Sequence, residues 1–99
     1  MTKIKDLRDG MKRVDVEGTI TEKGNPREVA SRWRDESFTV CDATLSDDSG
    51  KINITLWNEQ VDQVHVGDRI KIENGYMTSF KGEIQLNIGK FGKLTVIHM

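Results

Sequence analysis

Short runs of alternating apolar and polar residues, rather than helical stripes, organise this chain. Val14, Val16 and Ile20 alternate with Asp15, Glu17, Thr19 and Thr21, and Gly18 falls on the apolar phase, where a strand glycine signals a bend or bulge. Gly24-Asn25-Pro26-Arg27 breaks that strand, and a polar stretch follows to about Glu36. Phe38 and Val40 share one phase and Ala43 and Leu45 the other, which predicts a bulge near Cys41-Asp42. Residues 46–50 (Ser-Asp-Asp-Ser-Gly) carry turn chemistry, since Asx side chains bond nearby backbone and Gly tolerates a positive φ. Ile52, Ile54 and Leu56 then alternate with Lys51, Asn53, Thr55 and Trp57. Residues 58–66 hold Val61, Val64 and Val66 without strand alternation and predict a short helix or ordered connector. Ile70 and Ile72 restart the strand pattern. Asn74-Gly75 has hairpin chemistry, but splitting there leaves a stub too short to pair, so the strand is read through a Gly75 bulge to Phe80. Lys81-Gly82 then turns into Ile84, Leu86 and Ile88, and Leu94 and Val96 make a last strand. At the front, Ile4, Leu7 and Met11 have helical spacing and predict a turn or two of helix plugging one end.

About five strands with one insertion after the third favour a small closed barrel over an open sheet. The expected fold class is all-β: a five-stranded Greek-key barrel of the oligonucleotide/oligosaccharide-binding (OB) type, with a short helix or connector between strands three and four. An SH3-like barrel is the rival, and the valine-bearing connector decides for the OB type. Residues 1–99 are expected to form one domain with a single core.

Composition narrows the chemistry. No apolar run approaches a membrane span, and the N-terminus lacks an apolar signal region, so a cytoplasmic protein without membrane partners is expected. The single cysteine, Cys41, allows no internal disulfide, and with only His65 and His98 beside it a four-ligand zinc site is out of reach. Asp47-Asp48 is explained by its turn, and no phosphate-binding glycine loop opens a helix. The expectation is a non-enzymatic protein without cofactor or metal. Net charge is −1, but unevenly spread: residues 1–34 balance to +3, residues 35–68 to −7 and residues 69–99 to +3. Nucleic acid is allowed, although charge alone does not propose it.

The rings on the polar phase do propose it. If Ile52, Ile54 and Leu56 face a core, Trp57 faces away from it. Tyr76 and Phe80 share one face of the following strand, about 13 Å apart at ~3.3 Å per residue. With Asn53, Thr55, Gln85 and Asn87 between them, these rings make π faces interleaved with uncharged hydrogen-bonding groups. Such a surface suits single-stranded nucleic acid. Other readings stay open: Trp57 packed beneath the 58–66 connector, and Tyr76 and Phe80 capping the barrel bottom or sitting in a dimer interface. A second candidate is the loop with Arg27 and Arg32-Trp33-Arg34, where guanidiniums flanking an indole suit a phosphate–base–phosphate step, although Glu28, Asp35 and Glu36 dilute its field. Lys81 is placed for a phosphate.

Residues 46–57, Gly67-Asp68, residues 72–76 and Phe80-Lys81-Gly82 together resemble the OB domains of archaeal single-stranded-DNA-binding proteins, the SSB and replication protein A-like group, over roughly residues 5–97. That resemblance implies base stacking on Trp57, Tyr76 and Phe80 and backbone contacts from Arg27, Arg32 and Arg34. Where some relatives carry a further aromatic, this chain has Asn87. It also implies a monomer or weak homo-oligomer, nucleoid-associated if archaeal, working with replication or repair proteins. The chain is either a stand-alone module or one OB unit of a longer polypeptide. An RNA- or tRNA-binding OB domain and a protein-interaction OB domain are the alternatives.

Overall fold

The computed structural model describes residues 2–30, 37–88 and 92–97, with Phe80 described by its backbone only. Seven strands are present among the described residues: β1 (Lys12–Lys23), β2 (Arg27–Ala30), β3 (Ser37–Ser46), β4 (Lys51–Trp57), β5 (Arg69–Phe80), β6 (Glu83–Asn87) and β7 (Lys93–Ile97). A 3₁₀ turn, Ile4–Asp6, precedes them, and helix α1 (Glu59–Gln63) lies between β4 and β5. Five strands close a barrel in the order β1-β3-β4-β6-β5, and β5 pairs back onto β1. All of these pairings are antiparallel except β4 with β6. This is the expected OB barrel, with the expected helix between its third and fourth strands. β2 is added on β3, and β7 on the first half of β5.

The alternation pattern becomes the core directly. Val14, Val16, Ile20, Cys41, Ala43, Leu45, Ile52, Ile54, Leu56, Ile70, Ile72, Met77 and Leu86 all face inward and are buried. Ile4 and Leu7 pack against this core near the β3–β4 turn, while Val61 and Val64 of the α1 segment enter it beyond the far end of β4. Opposite mouths of the barrel are thereby plugged.

β1 serves two partners, pairing with β5 over Lys12–Thr19 and with β3 over Thr19–Lys23. Gly18 sits where the partners change. A Cβ there would lie 2.5 Å from the carbonyl oxygen of Ser46, so only glycine lets β1 and β3 approach this closely. β5 runs unbroken through Asn74-Gly75, with Asn74 at φ 57° and the β1–β5 register slipping beside it. That is the expected bulge. Lys81 and Gly82 both have positive φ, which joins β5 to β6 by a two-residue hairpin turn.

Two expectations are corrected. No bulge occurs near Cys41-Asp42: the β3–β4 ladder is continuous from Val40 to Ser46. Val40 is buried against the outside of the barrel, so the apolar phase changes because both faces are covered there, not because the strand slips. Arg27–Ala30 is strand rather than loop, since the free edge of β3 hydrogen-bonds these four exposed residues into the sheet.

Candidate nucleic-acid interface

Cross-strand partners point to the same side of a sheet, so register assembles the outer face. Val40, Asp42 and Thr44 on β3 oppose Trp57, Thr55 and Asn53 on β4. Across β4 and β6, Ile54 opposes Leu86 in the core and Asn53 opposes Gln85 outside. β6 then sets Asn87, Gln85 and Glu83 against Tyr76, Thr78 and Phe80 on β5. Trp57, Tyr76 and the Phe80 position therefore share one outer surface across three neighbouring strands, as the phase pattern predicts.

Trp57 and Tyr76 keep 39% and 40% of their surface exposed. The 58–66 connector does not cover Trp57, because its Val61 and Val64 turn into the core. The end of β4 is held from two sides. The backbone N–H of Trp57 donates to Gln60 Oε1 at 3.1 Å, and that of Asn58 donates to the Thr39 carbonyl at 2.7 Å.

The polar groups between the rings are partly committed to one another. Gln85 Nε2 donates to Thr55 Oγ1, and Asn87 Nδ2 donates to Thr78 Oγ1 at 2.8 Å. Thr55 is itself buried, so it fixes Gln85 rather than presenting a hydroxyl to a ligand. Asn53 stays exposed. These bonds tie β4, β6 and β5 into a preset floor between the aromatic positions.

Arg27 reaches this face, but not as part of a basic loop. Its Nη1 lies 3.1 Å from Asp42 Oδ2 on β3, with both side chains more than half exposed. Arg32, Trp33 and Arg34 lie outside the described residues. Lys81 occupies the hairpin turn beside Phe80, exposed at the rim. Phe38 was not anticipated as part of the face. It sits on the same outer side, and its ring meets that of Trp57 edge to face. Its shared phase with Val40 is the sequence signal for this position, and that phase marks an apolar strip on the outer face rather than a bulge.

A closed five-stranded barrel of this topology, with aromatic residues on its outer β4 and β5 surface, defines an OB-fold domain. A family model described as "Single-stranded DNA binding protein Ssb-like, OB fold" matches residues 9–96, and the chain belongs to that family. It is 30% identical over 92 residues to the single-stranded DNA binding protein Ssb of Saccharolobus solfataricus, covering 93% of this chain and 61% of that one. It is 31% identical over 91 residues to Replication factor A of Methanothermobacter thermautotrophicus, covering 91% of this chain and 11% of that one. The chain thus spans less than two thirds of the length of the first relative and about a ninth of the second. The solved OB domain from Thermoplasma acidophilum superposes with a TM-score of 0.83 at 23% identity, over 99% of this chain and 87% of that one, a likeness of fold.

Proposed function

We propose that this chain binds single-stranded DNA, largely without regard to sequence, on the outer face of β4, β6 and β5. Bases stack on Trp57, Tyr76 and Phe80, Asn53, Gln85 and Asn87 line the floor, and Lys81 and Arg27 meet the backbone together with Arg32 and Arg34. The observation that carries this reading is the placement of Trp57 and Tyr76 on one surface, both exposed across a floor of uncharged polar side chains. Every base has a π face, so such a surface gains roughly 1–3 kcal/mol per stacked base and tolerates sequence variation. Membership of a family described as single-stranded-DNA-binding supports the same ligand. The 99 residues act as one OB unit in DNA replication, repair or recombination.

Titrating intrinsic tryptophan fluorescence with oligo-dT is the direct test. Quenching that saturates, and that an RNA oligomer of matching sequence competes for only weakly, supports the proposal. Equal competition by RNA moves the ligand to RNA. No quenching, together with a dimer on sizing, replaces it with a protein-interaction role for the same rings.

A further inference from the structure

Among the described residues, Phe38 is the aromatic of the outer face that the stacking scheme leaves without a task. Val40 is the cross-strand partner of Trp57, so Phe38, two residues earlier on β3, is its diagonal neighbour, within reach of a large ring. The two ring centroids are 6.3 Å apart with planes at 78°, the edge-to-face arrangement that aromatic quadrupoles favour. Val40 opposite Trp57 is 3% exposed although it lies outside the barrel core, so the strip at this point has a packed apolar floor. The backbone on either side is also fixed: Thr39 N–H donates to Asn58 Oδ1 at 3.1 Å, and Gln60 holds the N–H of Trp57.

We propose that Phe38 is a positioning residue. It holds the Trp57 indole in one rotamer, so that the exposed part of the ring stands as a preformed platform for a base. The inference rests on the reading that Trp57 stacks on nucleic acid. A tryptophan at the end of an open strand samples several side-chain wells and loses that freedom when a base arrives. Contact with Phe38 settles this loss at folding rather than at binding. An aliphatic residue at position 38 fills space but lacks the quadrupole that sets the angle of the indole.

A double-variant cycle titrated with oligo-dT, with thermal melts alongside, separates the possibilities. Phe38→Leu is expected to weaken binding roughly two- to tenfold, the range that immobilising one side chain implies. Phe38→Tyr is expected to restore it. In Trp57→Ala, adding Phe38→Leu should cost nothing further. In a Trp33→Phe background, where Trp57 is the sole indole, Phe38→Leu should lower the fluorescence anisotropy of the free protein. If Phe38→Leu melts far below the parent, Phe38→Met takes its place in the cycle.

The role of Phe38 is overturned if Phe38→Leu binds as tightly as the parent while Trp57→Ala binds weakly. It is also overturned if Phe38→Leu costs as much with Trp57 absent as with it present, because Phe38 then meets the nucleic acid itself. Trp57→Ala binding as tightly as the parent removes the platform, and both readings fall together.

Discussion

Trp57 is exposed at modest cost because its strand neighbours Ile54 and Leu56 are fully buried and its own ring rests on Phe38 rather than in the core. Replacing it with alanine should therefore cost on the order of 1–3 kcal/mol in oligonucleotide binding and little in stability. Parallel binding isotherms and thermal melts check this: unchanged affinity with a large fall in Tm would make the ring structural. Trp57 was legible because strand side chains alternate strictly, so one ring on the polar phase of 51–57 points outward whatever the fold. The roles of Phe38 and Thr55 were not legible in the same way. Phe38 acquires its neighbour, and Thr55 its cover of Gln85, only through pairing with strands distant in sequence. Local alternation says which way a side chain points, not what lies over it.

At the scale of elements, the strands that build the barrel were readable and the added edge strand was not. β1, β4 and the first half of β5 alternate because one side of each is buried, whereas β2 is exposed at all four residues and so carries no alternation. The glycine inside β1 was readable as a bend, and its contact explains why. Gly18→Ala drives a methyl group into the Ser46 carbonyl oxygen and should destabilise the fold by about 1–3 kcal/mol, the usual cost of overpacking. For a domain of this size each kcal/mol lowers Tm by about 4–8 °C, so a calorimetric melt decides it.

The β3–β4 turn makes a second prediction at this scale. Burial favours the protonated form of the Asp47 carboxyl, but hydrogen bonds from the Ser49 hydroxyl and from the N–H groups of Ile4, Ser49 and Gly50 outweigh it and hold its pKa below 3.8. A lowered folded-state pKa contributes stability above the unfolded value and loses it as pH falls through the folded one. Because the bond to Ile4 ties the 3₁₀ turn to the β3–β4 turn, Asp47→Asn should be less stable than the parent near neutrality. That gap should narrow below about pH 5. Urea melts of both proteins across this pH range measure it, and a gap independent of pH would remove the carboxylate from the account.

For the whole molecule, a net charge of −1 is a poor match to a polyanion, and the placement of the acids resolves much of the conflict. Asp47 is spent in its turn, and Glu59 and Asp62 ride on α1. On the outer strands of the face, Asp42 is paired with Arg27, and Glu83 opposes Phe80. Binding should thus draw mainly on stacking, with few phosphate contacts. Each phosphate neutralised on a single strand contributes a slope of about −0.7 in log affinity against log salt, so about three contacts predict a slope near −2. The Arg27–Asp42 pair sharpens this expectation. Both partners are exposed, so the pair contributes little to stability, yet Asp42 competes with a phosphate for the same guanidinium. Asp42→Asn should leave Tm nearly unchanged, tighten oligo-dT binding at low salt and steepen the slope by up to about 0.7. If the slope of the parent is flat, the arginines are not phosphate ligands. If Asp42→Asn leaves a slope near −2 unaltered, Arg27 lies off the path of the strand, and the backbone contacts belong to other cations.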